Sequence, residues 1–257
     1  MPLMFAGPQV IQSVYAQTNE VAQNTLVMGT EADYIPFEFR YASEPASGIV
    51  GFDIAVANAI ADQIGFTLAV QERPFDELIP ALQSGELDFA MAAITPTPER
   101  LQFVDFSEVY FESRQALVSR RTSPVRTLDD LPGSTVAVQR GTIQEQAALD
   151  LLEDGLDIRI QTFERMNDIV TAVREQSVDV AFIEELVAEA YLENNPTLEL
   201  DVLGEVPPVP LAIAFPKGSS YIEPFNQVIE DLKASGELEE LRSEERRVGK
   251  ECPSPCR

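Results

Sequence analysis

The residues with the most chemistry to offer lie in the stretch Phe89-Ala90-Met91-Ala92-Ala93-Ile94-Thr95-Pro96-Thr97-Pro98-Glu99-Arg100. An apolar run stops at two alanines and a Thr-Pro-Thr-Pro corner just ahead of Arg100. Pro96 removes one backbone donor and biases Thr95 towards extended geometry, while Thr97 followed by Pro98 suits an N-cap and a first helical position. The N–H groups of Ala93 and Thr95, the Thr95 hydroxyl and the Arg100 fork are then able to converge. A guanidinium beside backbone donors suits a carboxylate, because parallel charge-assisted hydrogen bonds form where the anion sits. Taken alone, these twelve residues also fit a strand end carrying a solvated arginine.

Composition narrows the chemistry. The 257 residues contain no His, which removes His-based general bases, triads and zinc sites, and no Trp. Cofactor and metal chemistry are not expected. Lys and Arg number 18 against 43 Asp and Glu, and a formal charge of −25 weighs against nucleic acid and anionic membranes as partners. A 45% hydrophobic content supports one large domain or two smaller ones, and no run of 18 apolar residues is present to span a membrane.

The two ends read differently from the middle. Residues 1–24 are weakly apolar up to Val14-Tyr15-Ala16 and then polar, in the manner of a secretory signal remnant, although a basic n-region is missing and Pro8 interrupts the run. A leader without structure is the alternative. Residues 242–257 carry net +2 where the preceding 241 carry net −27, and hold the two cysteines, Cys252 and Cys256. That reversal reads as a non-native extension, with a flexible native tail as the alternative, and no thiol chemistry is assigned to it.

The elements between must position the chemistry. A strand over 25–30 leads into a loop with Glu31, Tyr34 and Pro36; apolar residues at 54, 57, 60, 61 and 64 predict a helix over 52–64 that Gly65 stops. A strand over 67–71, a helix opened near Asp76 as a candidate cap, and a strand over 87–91 follow. Beyond Arg100 come a strand over 104–106, a connection over 107–113 and a strand over 115–119. After a turn-rich crossing with a short helical piece at 127–131, the pattern restarts as strands over 135–138, 158–162 and 178–183 alternating with helices opened at Gly141-Thr142-Ile143, at 167–176 and at 185–194. A strand over 211–215 and amphipathic helix over 220–241 finish the chain.

The restart is an internal repeat. Ala81-Leu82, four residues, then Leu87-Asp88-Phe89-Ala90-Met91 matches Ala172-Val173, four residues, then Val178-Asp179-Val180-Ala181-Phe182. Two α/β units therefore follow one another, the first strand of the pair running to Ala93, Thr95 and Arg100 and the second to Glu184. Ligands of open α/β sheets sit beyond the carboxyl ends of strands. Two such lobes facing each other enclose a cleft with an arginine on one wall and a carboxylate on the other, which describes a receptor for a zwitterion. If the last strand and helix return to the first lobe, two crossings join the lobes, near 112–115 and 208–211, and make a hinge.

Gly29-Thr30-Glu31-Ala32-Asp33-Tyr34-Ile35-Pro36-Phe37, Val50-Gly51-Phe52-Asp53-Ile54, Phe75-Asp76-Glu77-Leu78-Ile79-Pro80-Ala81-Leu82, and 95–100 followed by Val104-Asp105-Phe106-Ser107 resemble the extracytoplasmic solute-binding proteins of polar amino-acid ABC transporters. The match runs in order from about 25 to 241. The resemblance implies an α/β, two-lobed type II periplasmic binding fold, each lobe a mixed, mostly parallel sheet flanked by helices, joined by a two-strand hinge. Lobe 1 is expected to take 25–112 and 210–241, and lobe 2 to take 113–209. It also implies roles: Arg100, the backbone of Ala93, Thr95 and the N–H groups of Thr142 and Ile143 would take the ligand carboxylate, and Glu184 the ammonium. Tyr34 and Phe75 would sandwich the side chain, with Glu31 at its far end and Gln139 beside it. Glu184 stands where the family usually has Asp, and Ile143 where Thr or Gly is frequent.

The resemblance implies a periplasmic or extracytoplasmic monomer that closes on an amino acid and delivers it to an ABC permease. Glu31 and Glu184 against the single cation Arg100 favour a basic or neutral polar ligand. Two other functions fit the same fold: a cyclohexadienyl dehydratase acting on arogenate or prephenate with Glu184 as general acid, and the ligand-binding domain of a membrane sensor. Against the dehydratase, Lys217 and Lys233 are the only lysines before the tail, and both fall in the returning lobe.

Overall fold

A computed structural model describes residues 24–41 and 48–251, with side chains as far as 245. Residues 1–23 of the expected leader and both cysteines lie outside the described residues. The first part of the chain holds β1 (Thr25–Thr30), β2 (Asp33–Tyr34), β3 (Glu38–Arg40), β4 (Ile49–Val50), α1 (Phe52–Ile64), β5 (Thr67–Glu72), α2 (Leu78–Ser84), β6 (Phe89–Ala90) and β7 (Val104–Ser113). The second holds β8 (Gln115–Arg120), β9 (Thr135–Gln139), α3 (Ile143–Glu153), β10 (Arg159–Phe163), α4 (Met166–Arg174), β11 (Val180–Glu184), α5 (Glu185–Leu192) and β12 (Leu198–Val202). β13 (Val209–Pro216), α6 (Ile222–Ser235) and α7 (Glu237–Glu251) complete it.

Two five-stranded sheets form, in the orders β5-β1-β6-β13-β7 and β10-β9-β11-β8-β12. The first three strands of each run parallel, and the remaining two are added antiparallel to their neighbours. This is the type II periplasmic binding architecture of two α/β lobes. β2, β3 and β4 make a separate small antiparallel sheet.

Local sequence explains the main supports. The face of α1 carrying Ile54, Ala57, Ile60 and Ala61 is buried, and Gly65 ends the helix in a left-handed conformation (φ 86°) that lets its N–H reach the Ala61 carbonyl. The first lobe closes its core only when the last segment returns. Phe225 of α6 lies 5.1 Å, centroid to centroid, from both Phe89 of β6 and Phe215 of β13, and all three are fully buried. Burying each such ring contributes roughly 1.5–3 kcal/mol.

The internal repeat has a physical content. Asp88 accepts a hydrogen bond from the N–H of Val27 (2.7 Å), the third residue of β1, and Asp179 accepts one from the Thr135 N–H (2.8 Å) at the start of β9. The same aspartate of each unit therefore anchors the entry of its central parallel strand and sets the register of the strand that ends at the cleft. Between the lobes the chain crosses at Arg114 and again over residues 203–208. Ser113 pairs with Val209, and the Leu203 N–H donates to the Gln115 carbonyl (2.9 Å), which ties the two crossings together.

Several expectations are corrected. Thr97-Pro98 opens no α-helix: a single 3₁₀ turn forms over Arg100–Gln102, in which the Thr97 hydroxyl accepts from the Arg100 N–H (3.2 Å). The strand over 87–91 shortens to β6, and the connection over 107–113 is strand, because β13 pairs along β7 as far as Ser113. Asp76 caps nothing; it sits in a 3₁₀ turn over Phe75–Glu77 whose N-cap is Pro74. β12 and the small sheet carry no strong alternation in sequence and were not expected. The last helix continues past residue 241 to Glu251, and Arg242 lies over the Phe111 ring at 5.8 Å, so the charge reversal there is not a break in structure.

Candidate functional site

The carboxyl ends of the parallel strands in both lobes point at one another across the hinge. Past β6 lie Ala92 to Thr95, past β9 lies Gly141, and Glu184 is the last residue of β11. Tyr34, Phe75, Ala93, Thr95, Arg100, Gln139, Thr142, Ile143 and Glu184 all line one cavity. Of the ten expected residues, Glu31 is not on that wall. Its carboxylate stands behind it, accepting from Gln139 Nε2 at 2.8 and 2.6 Å.

Arg100 is 9% exposed, and its guanidinium lies 5.2 Å from the Phe75 ring centroid. It donates to the Thr95 carbonyl (2.8 Å) in its own lobe and to the Gly141 carbonyl (2.9 Å) in the other. Three of its five N–H donors remain. Burial lowers its pKa to about 10, with Glu99 opposing, so it stays charged at neutral pH. No described residue accepts from the Thr95 N–H or hydroxyl.

Ala93 requires a correction. Its N–H, expected to face a ligand, donates to Asp53 Oδ2 (2.9 Å). Ala93 has φ 47°, a left-handed conformation uncommon for a residue with a Cβ, and this turns the amide back towards α1. Asp53 also accepts from the Tyr110 hydroxyl (2.7 Å). A second correction concerns Thr142, which is the N-cap of α3: its hydroxyl donates to the Gln139 carbonyl (2.7 Å) and accepts from the Glu145 N–H (3.2 Å), and its N–H points at the Gln139 carbonyl (3.4 Å). The donors this helix start offers are instead the N–H groups of Ile143 and Gln144, which have no intrahelical partner and sit at the positive end of the helix dipole.

Glu184 is 2% exposed. The Ser113 hydroxyl donates to its Oε1, while its Oε2 is buried without a hydrogen-bond partner. Burial raises its pKa to about 8, against the hydrogen bond from Ser113. Glu31, Asp33, Glu38 and Asp53 are buried close by. Burial, then the Asp33 charge, raises Glu31 well above the usual carboxylate range; burial raises Asp53 to about 6 and Glu38 well above its usual value. The environment is short of positive charge.

Contacts across the cleft hold the lobes together. Asp33 faces Arg165 (Nε to Oδ2 3.2 Å), the Tyr191 hydroxyl donates to the Asp33 carbonyl (2.6 Å), and Asp76 lies against Gly141. Sequence reasoning missed Gln115 and Gln144, which line the cavity, and Val209 and Leu211, which close its hinge side. Gln115 and Val209 begin the antiparallel strands β8 and β13, whose amino ends reach the same edge as the carboxyl ends of their parallel neighbours. A rule that looks past strand carboxyl ends passes over them.

Two α/β lobes on a double crossing, with a carboxylate-type anchor and a cation-type anchor in the cleft, define a two-lobed solute-binding protein. The sequence profile of the bacterial extracellular solute-binding proteins, family 3, matches residues 26–244, and the chain belongs to that family. It is 37% identical over 226 residues to the arginine-binding extracellular protein ArtP of Bacillus subtilis, covering 87% of each chain. Among solved structures it resembles the substrate-binding protein of an amino acid ABC transporter (38% identity, TM-score 0.76, 85% of this chain and 97% of that one). It also resembles AbpA of Streptococcus pneumoniae bound to L-arginine (31% identity, TM-score 0.81, 89% and 97%). No helix among the described residues is long and apolar enough to cross a membrane.

Proposed function

We propose that this protein captures a free cationic amino acid of the arginine type between its lobes, outside the cytoplasm, and passes it as a monomer to the membrane subunits of an ABC permease. The observation that carries the reading is the presence in one cavity of a buried guanidinium with donors to spare and a buried carboxylate, Glu184, with an unpartnered oxygen. Arg100, Thr95 and the start of α3 take the α-carboxylate, and Glu184 takes the α-ammonium. Tyr34 and Phe75 flank the side chain; Gln139, backed by Glu31, lies at its end. Ala93 serves as wall, its N–H being committed to Asp53. The buried carboxyls resist a further negative charge and can ionise against a cationic side chain, which favours basic over acidic ligands, in keeping with the arginine-binding relatives.

The test is isothermal titration against the twenty amino acids, with arginine, lysine, glutamine and glutamate first. Arginine is expected to bind and Arg100→Ala to abolish binding at micromolar ligand, since each charge-assisted bond lost costs roughly 1.5–3 kcal/mol. Silence across the set overturns the reading. One observation favours the dehydratase instead: a carboxyl with pKa about 8 is suited to a general acid. Turnover of arogenate or prephenate, lost in Glu184→Gln, is the outcome that would establish it; none is expected.

A further inference from the structure

Two buried polar atoms of the cavity wall have no hydrogen-bond partner, Glu184 Oε2 and Gln115 Nε2. One accepts and the other donates. Glu184 and Gln115 are direct partners in the antiparallel pairing of β11 with β8, so their side chains leave the sheet on the same face, about 5 Å apart at Cβ. Gln115 is 5% exposed, and its backbone is held at the joined crossings by the Leu203 N–H. Gln144 Nε2 donates to Gln115 Oε1 (2.6 Å), which leaves Nε2 as the unpartnered end of the Gln115 amide. Gln144, the second residue of α3 and 8% exposed, thus orients the amide of Gln115.

Leaving a buried donor unsatisfied costs about 1–3 kcal/mol, the same order as a neighbouring unsatisfied acceptor. An α-amino acid can remove both costs at once, because it carries an ammonium and a carboxylate on one carbon and so offers a donor and an acceptor side by side to the two orphaned atoms. Resting on the amino-acid reading above, we propose that Gln115 is a direct ligand contact, donating from Nε2 to an α-carboxylate oxygen while Glu184 beside it accepts from the α-ammonium, with Gln144 as the positioning residue. The carboxylate is then held from both lobes, by Arg100 on one side and Gln115 on the other, and is bound fully only when the cleft is closed.

The experiment is titration of wild type, Gln115→Met and Gln144→Met with arginine and with argininamide, whose neutral carboxamide weakens this contact, alongside ligand-free melting temperatures. Gln115→Met is expected to bind arginine about tenfold more weakly, to melt no lower than wild type because an orphaned donor has gone, and to show a smaller preference for arginine over argininamide. Gln144→Met is expected to shift in the same direction by less. Unchanged arginine affinity in Gln115→Met, or an equal loss for both ligands, overturns the inference. Gln115→Glu separates the opposite amide sense: tighter arginine binding there would mean that residue 115 meets the ammonium, and would also overturn it. Wild-type protein silent to every amino acid would instead remove the underlying reading.

Discussion

Glu184 makes ligand binding a proton-linked event. With its pKa at about 8 the carboxyl is mostly neutral at pH 7 when no ligand is bound. An α-ammonium needs the ionised form, so binding expels the proton. The competent fraction is about 0.01 at pH 6, about 0.1 at pH 7 and about 0.5 at pH 8, and apparent affinity scales with that fraction. Arginine affinity is therefore expected to rise roughly fiftyfold from pH 6 to pH 8, with about 0.9 proton released per ligand at pH 7. Asp53, at about 6, contributes at the lower end of this range, and Glu31 and Glu38 are also raised by burial, so Glu184→Gln is needed to assign the dependence between pH 7 and pH 8 to Glu184. Arg100, at about 10, remains charged throughout. Titration calorimetry in two buffers of different ionisation enthalpy measures both affinity and proton count, and Glu184→Gln supplies the control in which the pH dependence vanishes together with most of the affinity. A flat affinity from pH 7 to pH 8 with no proton exchanged would refute the reasoning.

Ligand-free stability carries the same signature. The folded chain holds the Glu184 proton more tightly than the unfolded chain, whose carboxyl titrates near 4.5, so this contribution is fully present below pH 4.5 and is lost as the pH rises through about 8. The melting temperature is expected to fall over that window and to fall less in Glu184→Gln, as thermal scans from pH 5 to 9 will show. Gly141 has φ +74°, and a methyl group there would stand 2.9 Å from the Asp76 Cβ in the other lobe. Gly141→Ala should therefore oppose closure and weaken arginine binding by about tenfold, combining steric contact with roughly 1 kcal/mol of backbone strain; unchanged affinity would mean that closure does not bring these residues together. Glu31→Gln should weaken arginine several times more than glutamine, and titration with both ligands checks it. Removing residues 242–257 deletes the Arg242 contacts with Phe111 and Glu239, so a small drop in melting temperature with unchanged arginine affinity is expected.

What the sequence by itself determined is the pair of α/β units and the chemistry at their strand ends. Helical spacing in α1, the glycine stop at Gly65 and the repeated Asp88 and Asp179 are local signals, and each aspartate makes the same strand-entry hydrogen bond. Glu184 was legible as the polar end of a buried strand, and Arg100 as the first cation after the Thr-Pro-Thr-Pro corner that follows one. Which donors are free was decided by the tertiary structure. Ala93 loses its N–H to Asp53, 40 positions away; Glu31 is held by Gln139, 108 positions away; Gln115 enters the cavity because β8 runs antiparallel beside β11. The pKa of Glu184 likewise comes from burial between the lobes. Periodicity and capping act within a few residues, whereas these contacts depend on sheet register and on the angle at which one lobe meets the other.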